Sequence, residues 1–169
     1  MMMGAAVSQL EKMVFFGNTD SEDSENPERI QTRFGEIPLK KNYPLSFPRG
    51  LLGMPDKRSF FITNFPSKKL QKFKLLQSLD DYTLSFITLP VDIHNSVIAA
   101  EDLTFACSDL GIKLENVVTL LIVSVHRSPE KVSISVNARA PLLIDSQLRL
   151  AAQYVFQTDK YKVQHYITA

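Results

Sequence analysis

A single cysteine, Cys107, in 169 residues excludes an intramolecular disulfide and fits a reducing compartment. A formal net charge of +1 excludes the strongly basic composition of a general nucleic-acid binder and leaves only local patches to weigh. Long apolar runs are missing too. The longest, residues 117–125, is broken by Thr119 and Ser124, whereas a spanning helix needs about 20 apolar residues. The N-terminal stretch lacks a charged n-region, and Gln9, Glu11 and Lys12 interrupt it before any cleavage pattern, so no signal peptide and a cytoplasmic location are expected. Glycine is sparse. Gly50 and Gly53 fall in Arg-Gly-Leu-Leu-Gly, which matches neither a P-loop nor a dinucleotide fingerprint and reads as a turn. His94, His126 and His165 are far apart and have no cysteine pair beside them, so neither a metal nor another cofactor is expected.

What is present is the composition of one globular domain, 44% hydrophobic and 22% charged. A chain of about 150 residues buries roughly 70% of its unfolded surface and needs no staple. Charge divides it. Residues 1–33 hold Glu11, Asp20, Glu22, Asp23, Glu25 and Glu28 against Lys12, Arg29 and Arg33, a net of −3, which leaves +4 on the rest. Residues 18–27 contain no aliphatic or aromatic side chain and cannot offset the entropy of ordering. We read residues 1–33 as a flexible acidic tail and residues 34–169 as the domain. Around residues 7–16 an amphipathic helix competes with a frayed terminus, and the frayed terminus is the expectation.

Turn residues punctuate the domain at short intervals: Pro38, Asn42, Pro44, Pro48 to Gly53, Asn64 to Ser67, Asp80 to Tyr82, Pro90, Ser128 to Glu130 and Pro141. Between them, residues 59–65 and 84–89 are rich in Phe, Ile and Thr. Val132, Ile134 and Val136 alternate with polar neighbours, as do Tyr161, Val163, His165 and Ile167, so each set lines one face of a strand. Residues 117–125 do not alternate and read as a strand covered on both faces. Ala99, Leu103, Ala106 or Cys107, and Leu110 recur at helical spacing before Gly111, which predicts a helix with a left-handed C-terminal cap. Residues 148–156 mix helix and strand preference, and pattern alone does not decide them. The sum is an all-β, antiparallel, barrel-like or sandwich-like body with one or two short helices.

Few residues suggest chemistry. Cys107 lies on the apolar stripe of the predicted helix, where a small buried hydrophobe is the ordinary meaning rather than a nucleophile. The adjacent carboxylates of Asp80 and Asp81 read as caps for turn donors or as a partner contact. Between Lys57 and Lys74 the bases Lys57, Arg58, Lys68, Lys69, Lys72 and Lys74 interleave with Phe60, Phe61, Phe65 and Phe73. That pattern fits a solvated hairpin loop flanked by core rings. It also fits an RNA-stacking surface built on Lys68, Lys69, Lys72, Lys74 and Phe73, because lysines neutralise phosphates while rings accept bases.

Several strings together resemble one family. Phe47-Pro48-Arg49-Gly50-Leu51-Leu52-Gly53-Met54-Pro55, then Leu76-Gln77-Ser78-Leu79-Asp80-Asp81, then residues 84–87, are similar to the flagellar assembly factor FliW family. Arg33-Phe34-Gly35-Glu36-Ile37, Glu101-Asp102-Leu103 with Leu110-Gly111-Ile112, Asn137-Ala138-Arg139-Ala140-Pro141 through Asp145, and Tyr161-Lys162-Val163 extend the resemblance, in order, over about residues 33–167. The resemblance implies a small β-barrel-like fold, strand for residues 148–156 and no enzymatic activity. It also implies partner switching: the protein binds flagellin, and when flagellin has been exported it binds and antagonises CsrA, an RNA-binding repressor of flagellin translation. Direct nucleic-acid or membrane contact is not expected, and a monomer is. Met54 stands where the family usually has Phe, Asp145 where it usually has Asn, and many relatives lack the basic segment 68–74. Phe47, Leu52, Phe86 and Pro141 read as core or turn formers. The polar motif residues Gln77, Ser78, Asp80, Asp81 and Asn137 are therefore the nominated partner-binding residues.

Overall fold

The computed structural model describes residues 9–14, 28–94 and 96–168. Among them, residues 9–14 form a short helix, α1, and Ala100–Leu110 a second, α2. The strands are β1 Arg29–Thr32, β2 Gly35–Pro38, β3 Leu45–Ser46, β4 Ser59–Asn64, β5 Lys74–Ser78, β6 Ser85–Val91, β7 Val117–Arg127, β8 Val132–Val136, β9 Leu142–Asp145, β10 Leu150–Gln153 and β11 His165–Ile167. β1 and β2 form a separate hairpin; the others make one sheet in the order β11-β8-β7-β6-β5-β4-β3-β10-β9. Because β9 also pairs with β7, the sheet closes on itself. The neighbours are antiparallel except β3 and β10, which meet in parallel at Leu150 and Ser46. The expected all-β, barrel-like fold is what the chain adopts, and residues 148–156 supply the strand β10.

Closure depends on β7, which serves two partners on one edge. Its first half pairs with β9, Leu120 facing Leu142, and its second half with β8, Val123 facing Val136. Opposite Leu121 and Ile122 the segment between β8 and β9 spends the five residues 137–141. This is a wide bulge ending in Pro141, which has no N–H to give a ladder. Asn137 fixes its shape: its backbone N–H donates to Ile122 O at 2.9 Å, and its Oδ1 accepts from Ala140 N at 3.0 Å. The bulge releases β8 to pair on its far edge with β11. It also corrects one expectation. β7 is buried on both faces only through Leu121, and beyond the bend Ser124 and Val125 are exposed.

Alternation along the strands sorts apolar side chains between the inside and outside of the ring. Leu45, Phe47, Phe60, Ile62, Leu76, Val118, Leu120, Leu142, Ile144 and Ala151 fill the interior cluster. On one outer flank, Ile37 of the β1–β2 hairpin covers Phe61 and Leu75. On another, Leu103, Ala106 and Cys107 of α2 pack with Leu121, Val136, Leu143, Phe156 and Tyr161. Glu101 and Asp102 lie in the first turn of α2, and Gly111 caps it at φ 72°, giving its N–H to Ser108 O while Ile112 N bonds Cys107 O.

Two segments depart from the sequence reading. Strand pairing starts at Arg29, five residues before the assigned domain start at Phe34, because Ile30 and Ile37 meet in register across β1 and β2. Within the segment expected to fray, residues 9–14 are helical, and Leu10, Met13 and Val14 are buried in the interior cluster. The disorder expected of residues 18–27 falls outside the described residues. Near the C-terminus only His165–Ile167 forms a strand. Residues 154–164 are irregular instead, because Tyr161 turns inward against Phe156, with ring centroids 4.9 Å apart, and its hydroxyl holds Asp102 and accepts from Ala99 N.

Candidate functional site

The nominated polar residues lie in two places, and the fold uses each of them locally. Gln77 and Ser78 end β5 and are fully buried. Gln77 Nε2 donates to Ser78 O at 3.0 Å and Tyr82 O at 3.1 Å, and its Oε1 accepts from Ser85 Oγ at 2.5 Å. Ser78 Oγ accepts the N–H groups of Asp80 and Asp81 at 3.1 and 3.0 Å. Asp80 Oδ2 in turn accepts from Arg58 N and Ser59 N at 2.7 and 2.8 Å, tying the β5–β6 turn to the start of β4. Asp81 accepts from the backbone and hydroxyl of Thr83, and these bonds hold its carboxyl below the usual carboxylate range. Ser78, Asp80 and Asp81 thus form one turn network with Gln77 beneath it, and only the two aspartates reach solvent. Asn137 is separate, in the β8–β9 bulge.

The Phe47–Pro55 motif sits next to this network. Gly50 at φ 66° and Gly53 at φ 76° allow Leu51 and Met54 to bridge each other. Phe47 is buried, whereas Leu52 is 56% exposed at the tip, its N–H bonded to Gln153 Oε1 at 2.9 Å. Of the four motif residues read as core or turn formers, Leu52 therefore belongs to the turn.

The basic segment forms the β4–β5 connection, with one 3-10 turn at Lys68–Leu70. Lys68, Lys69 and Lys72 are exposed there. Lys74 is half-buried, bonded to Asn64 Oδ1 at 2.8 Å and Gln71 O at 3.2 Å, and burial pushes its pKa down. The rings that would have to stack bases point elsewhere: Phe60, Phe61 and Phe73 are all buried, and Lys72 lies 5.0 Å from the Phe73 ring centroid. Of the four interleaved rings only Phe65 is partly exposed, and it packs against Phe34 with ring centroids 5.4 Å apart, so the cations have no row of free rings beside them.

A larger feature lies between this connection, the β1–β2 hairpin and the β7–β8 hairpin. An open groove of about 620 Å³ has Phe65, Leu70, Phe73, Ile87, Val123, Val125 and Ile134 in its walls, with Arg33 and Arg127 among its charged edges. Leu70 and Val125 are 40% and 41% exposed. Apolar walls with a cationic rim fit a polypeptide segment that presents apolar and acidic side chains. Sequence reasoning missed this surface. Its one visible signal is Ile134 and the apolar half of β7 that runs on past the covered stretch.

Among the described residues no group of three or more His, Cys, Asp or Glu is arranged to hold a metal. Cys107 is buried in α2, and burial pushes its thiol pKa up, the opposite of what a nucleophilic cysteine needs. No helix among the described residues is long and apolar enough to cross a membrane.

Comparison with known proteins agrees with this architecture. A sequence model of the family described as "FliW protein" matches residues 28–167. A "Flagellar assembly factor FliW" from Geotalea uraniireducens is 31% identical over 139 residues, covering 79% of this chain and 80% of the relative. One from Alkaliphilus metalliredigens is 28% identical over 143 residues, covering 82% and 85%. A crystal structure of the flagellar assembly factor FliW superposes with a TM-score of 0.58 at 20% identity, over 82% of this chain and 96% of that one, which supports the same fold. With the matched region running from just before β1 to the end of β11, this chain belongs to the FliW protein family.

Proposed function

We propose that this protein is a cytoplasmic flagellar assembly factor that works by partner switching and not by catalysis. It binds flagellin while flagellin is retained in the cell. Once flagellin has been exported, it binds and antagonises the translational repressor CsrA. Free flagellin thus sets, by mass action, how much of the factor is left for CsrA. Family membership carries this reading. The groove bounded by Arg33, Leu70, Val125 and Arg127 supplies a surface suited to a protein partner. The turn network of Asp80 and Asp81 supplies a second polar face whose carboxylates reach solvent. Gln77, Ser78 and Asn137 support these surfaces from within, where their bonds fix the turn and the bulge.

Calorimetric titration with the cognate CsrA, alone and after saturation with flagellin, tests the reading. Saturable binding that flagellin abolishes is expected. Loss of either interaction refutes the switch. In parallel, Val125→Asp should weaken partner binding without loss of the fold, and charge reversal at Asp80 and Asp81 compares the second face. A Val125→Asp variant with undiminished affinity excludes the groove.

RNA binding through Lys68, Lys69, Lys72 and Lys74 is the competing reading. It requires an affinity that falls steeply with salt and collapses when these lysines become alanine. The burial of Phe73 counts against it.

A further inference from the structure

One mouth of the barrel is formed where β4 ends, β5 begins, β7 begins and β9 ends, as their registers require. Helix α1 sits there. Its Leu10, Met13 and Val14, spaced i, i+3 and i+4, belong to the same buried cluster as Ile62, Val118 and Ile144 of the barrel interior. Polar contacts hold both ends of the described stretch. Gln9 Nε2 donates to Glu115 O just before β7, and Gln9 Oε1 accepts from Ser146 Oγ at 3.0 Å just after β9. At Val14 the buried Lys40 Nζ donates to the backbone carbonyl.

The seat and its occupant differ in origin. Match to the family begins at residue 28, so every barrel residue of the seat lies inside the family domain and α1 lies outside it. Isolated helices shorter than about 12–15 residues are marginal in water, and the described helical residues 9–14 bury Leu10, Met13 and Val14 in the seat, which supports them. Residues 15–27 join it covalently to the family domain, a separation in sequence that limits its distance from β1 to at most about 45 Å. Such a short tether keeps the occupant at a high effective concentration, which lets a weak intrinsic contact stay closed.

We propose that this mouth is a docking site for an amphipathic helix, and that α1 is its intramolecular ligand, occupying in cis a seat that accepts the same helix in trans. The inference does not depend on which partners the groove takes. Its test uses the full chain carrying Leu10→Asp and Met13→Asp together, titrated with a fluorescent peptide of residues 5–18 and followed by anisotropy. The variant should keep the cooperative unfolding and the β-sheet circular dichroism of the native barrel and bind the peptide at least tenfold more tightly than the native chain does, whose seat is filled. In the native chain, the amides of residues 11–14 should exchange with solvent faster than those of β4 and β7, because a ligand leaves without the barrel opening. Equal affinity of the two proteins, or no binding by a folded variant, overturns the proposal. So does unfolding of the variant, or exchange of residues 11–14 in step with the barrel, since α1 would then be part of the core.

Discussion

Gln77 separates a structural role from a contact role, and Gln77→Glu is the sharpest perturbation because it changes one atom and almost no volume. The amide donates to Ser78 O and Tyr82 O and accepts from Ser85 Oγ, with no exposure of the residue. A neutral carboxyl keeps the acceptor and one O–H donor, so it can serve one of the two carbonyls and leaves the other without a donor. Each lost bond costs about 1 kcal/mol net, and a buried orphaned acceptor about 1–3 kcal/mol. With Ser78 O buried and Tyr82 O nearer the surface, the total for the neutral acid is about 2–4 kcal/mol. For a domain of this size that is a fall in Tm of about 5–15 °C. Ionising the buried carboxyl adds to the cost, so its folded pKa lies above the unfolded value of about 4.3. Between those two values the native state binds more protons than the unfolded state, and the stability of the variant falls as pH rises. Thermal melts followed by circular dichroism from pH 4 to 8 should show a deficit that grows toward pH 8, while the native protein lacks this added slope. Gln77→Met leaves Ser78 O, Tyr82 O and Ser85 Oγ without their partner and should be destabilised at least as much as the neutral acid, but with no added pH slope. Partner affinity of the folded variant should be unchanged. A Tm within 1 °C of the native value together with weakened binding would show that Gln77 meets the partner directly and would refute the reasoning.

Other substitutions probe the same fold independently. Gly50→Ala would place a Cβ 2.4 Å from Met54 O and 2.7 Å from Pro55 Cα at φ 66°, whereas Gly53→Ala at φ 76° meets nothing within 4 Å. Urea unfolding should therefore show a loss of about 1 kcal/mol for Gly53→Ala and a clearly larger one for Gly50→Ala; equal losses would mean that the turn relaxes freely. Asp80→Ala removes the acceptor shared by Arg58 N and Ser59 N and should cost about 1–2 kcal/mol by the same assay; no change would mean that water replaces the carboxylate. Burial lowers the Lys40 pKa below its usual 10.5. Above the folded pKa the unfolded chain binds more protons than the native one, so stability should rise with pH until about 10.5. Lys40→Met should flatten that alkaline rise, and an unaltered pH profile would assign it to another group.

The elements most legible in the sequence were those whose signal is local. Gly111 after a helical stripe gave the α2 cap, and Phe-Ile-Thr runs between turns gave β4 and β6, because φ preference and alternation act within a few residues. Residues 148–156 needed the family resemblance, since Leu-Arg-Leu-Ala-Ala-Gln suits a helix and only pairing with β9 and β3 makes it a strand. The turn residues show the limit for sites. Asp80 reads along the chain as a local turn cap or a partner contact and Asn137 as a partner contact, yet the acceptor of Asp80 meets a donor 22 residues away and that of Asn137 one three residues away. The tail shows it in reverse: Leu10, Met13 and Val14 are too short a pattern to predict a stable helix, and only the barrel mouth supplies the surface that orders them.

The same packing decides where function can reside. Phe47 and Phe60 meet edge to face inside the ring, 5.2 Å apart, with Phe86 6.5 Å from Phe60. An interior filled this way is a packed core, which leaves the outside of the sheet and the barrel mouth as the surfaces open to a partner. There the bulge at residues 137–141 has a second consequence. By lifting β8 and the end of β7 away from the barrel, it leaves Val125 and Ile134 to form one wall of the groove, with Phe65 and Phe73 contributing from the β4–β5 connection. Asn137 therefore shapes, without lining it, the groove proposed as the partner surface, through its bonds to Ile122 and Ala140. A polar motif residue can be required for partner binding because it sets a bend in the backbone, with no atom of its own at the interface.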